Sequence, residues 1–149
     1  DHRDLHSFPT RRSSDLYCKQ MGYTISEKPC LTVARSGTAG FVSFQVDGCV
    51  VGDSAKILLL PDKEATTEVY LFLQTILTAN RFKDTYGRKV TEDKYLREWI
   101  KLPVKHNVDK SILFDNTYTW SDEGYIPDWK FMENYIKSLP YGDRLADVK

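Results

Sequence analysis

Between Pro29 and Leu60 apolar and polar positions alternate in short runs, CLTVAR, FVSFQV, CVVG and AKILLL, parted by SGTAG and by Asp47-Gly48. Period-two alternation broken by glycine turns is the pattern of half-buried strands, and Asp-Gly between such runs is a strong hairpin signal. A β-meander is therefore expected here, closed by Pro61-Asp62. From Glu64 to Ala79 the period changes, with Val69, Leu73, Ile76 and Leu77 at helical spacing and Phe72 beside them. A long helix packed on the sheet is predicted over 64–79. A second is predicted over 128–139, where Trp129, Met132, Ile136 and Leu139 form one stripe. Pro127 suits its first turn and Pro140 ends it. Between the helices, TYGRKV reads as a turn around Gly87, with Thr91 as N-cap of a short helix through Trp99. IKLPV returns to a strand that Pro103 confines to an edge or an end. His106 to Tyr125 is polar and aromatic without a clear period, and reads as irregular strand and loop. The expected class is α+β, a single domain with a mixed, twisted β-sheet and two helices.

Length agrees with one domain, since 149 residues with 41% hydrophobic content suffice for a single core. With 21 basic and 21 acidic residues the net charge is zero, which excludes coating of nucleic acid or anionic membrane by bulk electrostatics. Any nucleic-acid face must be local. The longest apolar runs, KILLLP and VYLFLQTIL, fall far short of the roughly 20 residues of a membrane span. Cys18, Cys30 and Cys49 show no Cys-x-x-Cys spacing, so buried small hydrophobes in a reducing cytoplasm are expected rather than a zinc site or disulfide framework.

The first residues stand apart. His6 to Leu16, HSFPTRRSSDL, agrees residue for residue with one reading frame of a common short-read sequencing adapter. Residues 1–16 are therefore expected to be non-native and are set aside, Arg11 and Arg12 included. The native domain is expected over 17–149, truncated at its N-terminus.

Catalytic patterns are weak. Gly37 and Gly40 lie too close for a phosphate-binding P-loop, no lysine follows them, and a strand stands where the helix should begin. Pro61-Asp62 with Glu92-Asp93-Lys94 loosely echoes a metal-dependent nuclease, in which Asp62, Glu92 and Lys94 would gather around Mg²⁺ and a water. Glu92 to Lys94 fall in the first turn of a predicted helix, where charged triplets are usually solvated. His106 has no nucleophile elbow near it, and no methyltransferase cofactor loop or catalytic segment occurs. A non-catalytic chain is expected.

Binding is better represented. Arg35, Ser36, Gly37 and Thr38 stand at a hairpin tip, and Arg81, Lys83, Tyr86, Arg88 and Lys89 lie in a segment where basic residues outnumber acidic ones. Glycine beside cations lets the backbone approach phosphate while the side chains reach bases or neighbouring phosphates. Ordinary solvated turns and a protein-interaction module remain open on composition alone.

The ordered motifs resemble a known family. TVARSGTAGFVSFQ with GCVVGDSAKILLL, then RFKDTYGRKVTEDKYLREWIKLPV and GYIPDWKFMENYIKSLP, are similar to the target recognition domains of restriction-modification specificity subunits. These are the DNA-reading modules of type I systems, with relatives in type IIB and type IIG enzymes. The resemblance covers about 28–139. It implies sequence-specific recognition of half of a bipartite double-stranded DNA site, with no cofactor in this domain. A DNA adenine methyltransferase subunit or domain, and a restriction endonuclease subunit, would act as partners in the cytoplasm. It further implies base or groove contact by Arg35 and Ser36 and phosphate contact by Lys83, Arg88 and Lys89, with Tyr86 either at the DNA or packed in its turn. One departure stands out: no heptad run is long enough for the helical spacer of a full type I subunit. One half of such a subunit, a truncated copy or a domain of a fused enzyme is expected.

Overall fold

The computed structural model of the chain describes residues 20–35, 39–81, 95, 97–140 and 142. Five short strands come first: β1 (Thr24–Ser26), β2 (Cys30–Ala34), β3 (Val42–Gln45), β4 (Cys49–Val51) and β5 (Ala55–Leu58). Two helices follow, α1 (Thr67–Asn80) and α2 (Trp129–Ser138). This is an α+β molecule with a single compact body, and both helices fall where the apolar spacing predicts them.

The strands depart from the expected meander. β2 is central, with β3 antiparallel on one edge and β5 antiparallel on the other, and β4 pairs with β1 in a separate two-stranded sheet. The expected single mixed sheet is thus two small antiparallel ones. Gly48 shows why. At φ +80° it turns the chain from β3 toward β1, and a Cβ there would lie 2.2 Å from the Ser26 carbonyl oxygen. Asp47-Gly48 therefore reverses the chain as its residues foretell, but delivers β4 to β1 rather than to β3. A turn signal specifies the reversal and leaves the pairing partner to the contacts made around it.

Alternation along β2 sends Leu31 and Val33 to one face, where they stand opposite Phe44 and Val42 of β3. Val69, Tyr70 and Leu73 of α1 cover that face, and Met132 of α2 completes the core from the far side of α1. The layers are sheet, α1, α2. Tyr70, only 1% exposed, stacks on Phe44 with ring centroids 5.4 Å apart, and its hydroxyl accepts the Leu60 N–H at 3.1 Å. This single side chain fixes the path from β5 into α1. Thr66 caps α1 by accepting from the Val69 N–H, and Asp128 caps α2 by accepting from the Phe131 N–H at 2.9 Å. Pro127 falls just ahead of α2 rather than in its first turn.

The segment from Pro103 to Asp128 folds back on itself through isolated bridges, Val104 with Pro127, His106 with Ile112, and Phe114 with Tyr125. It is irregular strand and loop, as its lack of period foretold, and IKLPV contributes a bridge rather than a strand. Of the short helix expected over 91–99, Tyr95 is helical, residues 97–99 are not, and Thr91 lies outside the described residues. Among the described residues no helix is long and apolar enough to cross a membrane.

Candidate nucleic-acid interface

The β2–β3 hairpin closes with the Ala34 N–H donating to Phe41 O at 2.9 Å and the Gly40 N–H donating to Ala34 O at 2.8 Å. Arg35 opens the loop between them. Its backbone N–H donates to Ser54 O at 2.7 Å and its Nη1 to Asp53 O at 3.3 Å, so the residue lies along the β4–β5 turn. Its Nε is buried and has no acceptor among the described residues. Arg35 is thus half-buried and held by backbone carbonyls of the β4–β5 turn.

Arg81 approaches the same loop from the end of α1. Gly40, at φ +78°, adopts a backbone conformation that disfavours a side chain, and a Cβ there would lie 3.4 Å from Arg81 Cγ. The Arg81 guanidinium stands 5.9 Å from the centroid of the exposed Phe41 ring. Two candidates remote in sequence, Arg35 and Arg81, therefore meet at one hairpin. The glycine that makes the meeting close is the second of the Gly-x-x-Gly pair.

Of the remaining candidates, Ser36, Gly37, Thr38, Lys83, Tyr86, Arg88 and Lys89 lie outside the described residues. The last four fall between Arg81, which lies beside Gly40, and Tyr95, the next described residue. Asn80 Nδ2 donates to Trp99 O at 3.2 Å. Tyr95 packs against the core, and burial, with Glu98 nearby, pushes its hydroxyl up to about 12. Arg81, where the basic segment begins, thus lies beside the hairpin that Arg35 opens, and Trp99 is tied to the end of α1.

Lys56 is a further cation at this end, one that sequence reasoning does not name. It stands opposite Val33, one pair inside the Ala34–Ala55 pair that ends the β2–β5 ladder, and is exposed. Only the register places it there.

The nuclease arrangement gains nothing from the described residues. Asp62 Oδ1 accepts from Lys28 Nζ at 2.9 Å on the open surface, and this bond raises the lysine pKa. Glu92 and Lys94 lie outside the described residues, and among those described no three His, Cys, Asp or Glu side chains gather to hold a metal. His106 is exposed. A shallow groove between α1 and α2, lined by Leu71, Gln74, Thr75, Ile136, Leu139 and Pro140, carries no titratable side chain. It offers no chemistry.

Comparisons of the chain with protein-family models, with curated proteins and with solved structures gave no match.

Proposed function

We propose that this chain is a non-catalytic, sequence-specific double-stranded DNA recognition module of a restriction-modification system. It acts in the cytoplasm beside a DNA adenine methyltransferase and a restriction endonuclease that do the chemistry. The observation that supports this reading is the convergence of Arg81 on the Gly40 backbone of the hairpin that Arg35 opens. Two arginines beside one glycine-bearing hairpin suit a groove-facing element: phosphate contacts fix its position, and an arginine can read guanine O6 and N7. Lys83, Arg88 and Lys89 follow Arg81 closely in sequence and are proposed as the phosphate contacts of the same module. A neutral chain can work in this way because a local cluster supplies the counterion-release term while the partners supply the remaining affinity. Binding by the domain alone should then be near the non-specific range of roughly 10⁻⁴–10⁻⁶ M at physiological salt.

The test is selection from a random duplex pool at two salt concentrations, followed by sequencing of the retained DNA. Enrichment of a short motif, with affinity falling as salt rises, is expected. Arg81→Ala should lower affinity across all sequences and reduce the salt slope by about 1, the signature of one lost phosphate contact. Arg35→Ala should relax preference at one base pair, by about 1–3 kcal/mol. Salt-sensitive retention without enrichment would reduce the module to a phosphate binder. Binding that survived loss of Arg35, Arg88 and Lys89 together would favour a protein-interaction module, and metal-stimulated cleavage abolished by Asp62→Ala would favour the nuclease.

A further inference from the structure

Cys30 and Cys49 are far apart in sequence and carry no motif, yet their Sγ atoms stand 3.4 Å apart. Alternation along β2 places Cys30 on the face opposite Leu31, away from α1, and there it is fully buried. Cys49 begins β4, the strand that Gly48 turns toward β1, so the thiol contact spans the two sheets. Among the described residues no third ligand joins them to make a metal site. Both are free thiols. Burial, and then the hydrogen bond with Cys30, push the Cys49 thiol up to about 12.

We propose that Cys30 and Cys49 form a redox-active dithiol, which a small-molecule disulfide converts into an intramolecular disulfide joining the two sheets. Cys49, only part-buried, meets the oxidant first. Once it has lost its proton, Cys49 attacks one sulfur of the small disulfide, forms a mixed disulfide and releases one equivalent of small thiol. Cys30 then loses its proton and attacks Cys49 Sγ, displacing the second equivalent. Two electrons pass from the protein thiols to the oxidant, and the two protons end on the released small thiols. The sulfurs need close only from contact to the bonded distance of about 2 Å. The product ties β2 to β4, and β4 leads into the 52–54 turn whose carbonyls hold Arg35. This inference does not depend on DNA recognition.

The full chain treated with oxidised glutathione, quenched with an alkylating reagent and mapped by mass spectrometry tests it. The expected product is lighter by two hydrogens, with the Cys30 and Cys49 peptides joined until reduction, and it melts about 5–10 °C higher than the reduced chain. Cys18→Ser should form the same product. Cys49→Ala, which leaves buried Cys30 untouched, should form no cross-link and show a melting temperature insensitive to the oxidant. A glutathione adduct that persists on Cys49, a bridge that includes Cys18, or a Cys49 that does not react would each overturn the proposal.

Discussion

At the scale of single residues, close backbone approaches and charge pairs carry the strongest expectations. Gly48 combines a positive φ with a Cβ position that overlaps the Ser26 carbonyl, so Gly48→Ala must strain its own backbone and push β1 from β4. A loss of about 2 kcal/mol or more is expected in urea unfolding, and an unchanged midpoint would show that β1 is not held there. Glu133 is another case. It bonds Lys137 one turn ahead and Lys130 one turn behind, and these contacts lower its carboxyl pKa, the Lys137 hydrogen bond most of all. A carboxyl whose folded pKa is depressed contributes stability above its unfolded value of about 4.5 and loses it as pH falls through the lower folded value. Glu133→Gln should therefore cost about 0.5 kcal/mol at neutral pH and nothing at pH values low enough to protonate the folded carboxyl. Denaturation curves of both proteins across acidic pH check the sign.

Among the elements, α2 depends on its apolar stripe and its cap. Met132 is wholly buried against α1 and Ile136 nearly so, whereas Phe131 and Tyr135, one step round the helix, are half exposed, stacked on each other with Tyr135 edge-on to Phe72 of α1. Met132→Ala should cost about 2–5 kcal/mol, because the site lies between two packed layers and cannot collapse freely. Asp128→Ala removes the acceptor for the Phe131 N–H and should cost about 1 kcal/mol. Thermal unfolding followed by circular dichroism separates the two, and equal costs would mean that the cap, rather than the packing, holds α2 in place. The helices were legible in the sequence because a stripe at helical spacing names its own buried face. The strand order was not. Residues 24–26 are too few to show a period, so β1 left no sign that it would take β4 from β3.

For the molecule as a whole, the core is a single layer shared by the sheet, α1 and α2, since Leu31, Val33, Val42, Val69, Tyr70, Leu73 and Met132 belong to one cluster. No part of it can open without exposing the others. Unfolding should accordingly be one cooperative transition, with tryptophan fluorescence, to which Trp129 against the core contributes together with Trp99 and Trp120, coinciding with far-ultraviolet circular dichroism. Separated transitions would mean that α2 and the irregular 103–128 segment form their own unit. The candidate interface belongs to this scale too, because it requires the end of α1 and the β2–β3 hairpin to lie side by side.

The sequence by itself determined the α+β class, both described helices and the turns at Gly40 and Gly48, and it supplied the basic residues from which the phosphate contacts are proposed. These follow from local rules: the period of apolar positions, the backbone freedom of glycine and the charge of a side chain. Tertiary structure alone decided that β5 returns to β2, that β4 joins β1, and that Arg81 rests against Gly40 beside Arg35. It also decided that Cys30 and Cys49 touch and that Lys56 stands near the hairpin end. Each of these is a long-range pairing, fixed by which buried faces close on one another, and one-dimensional spacing carries no record of that choice.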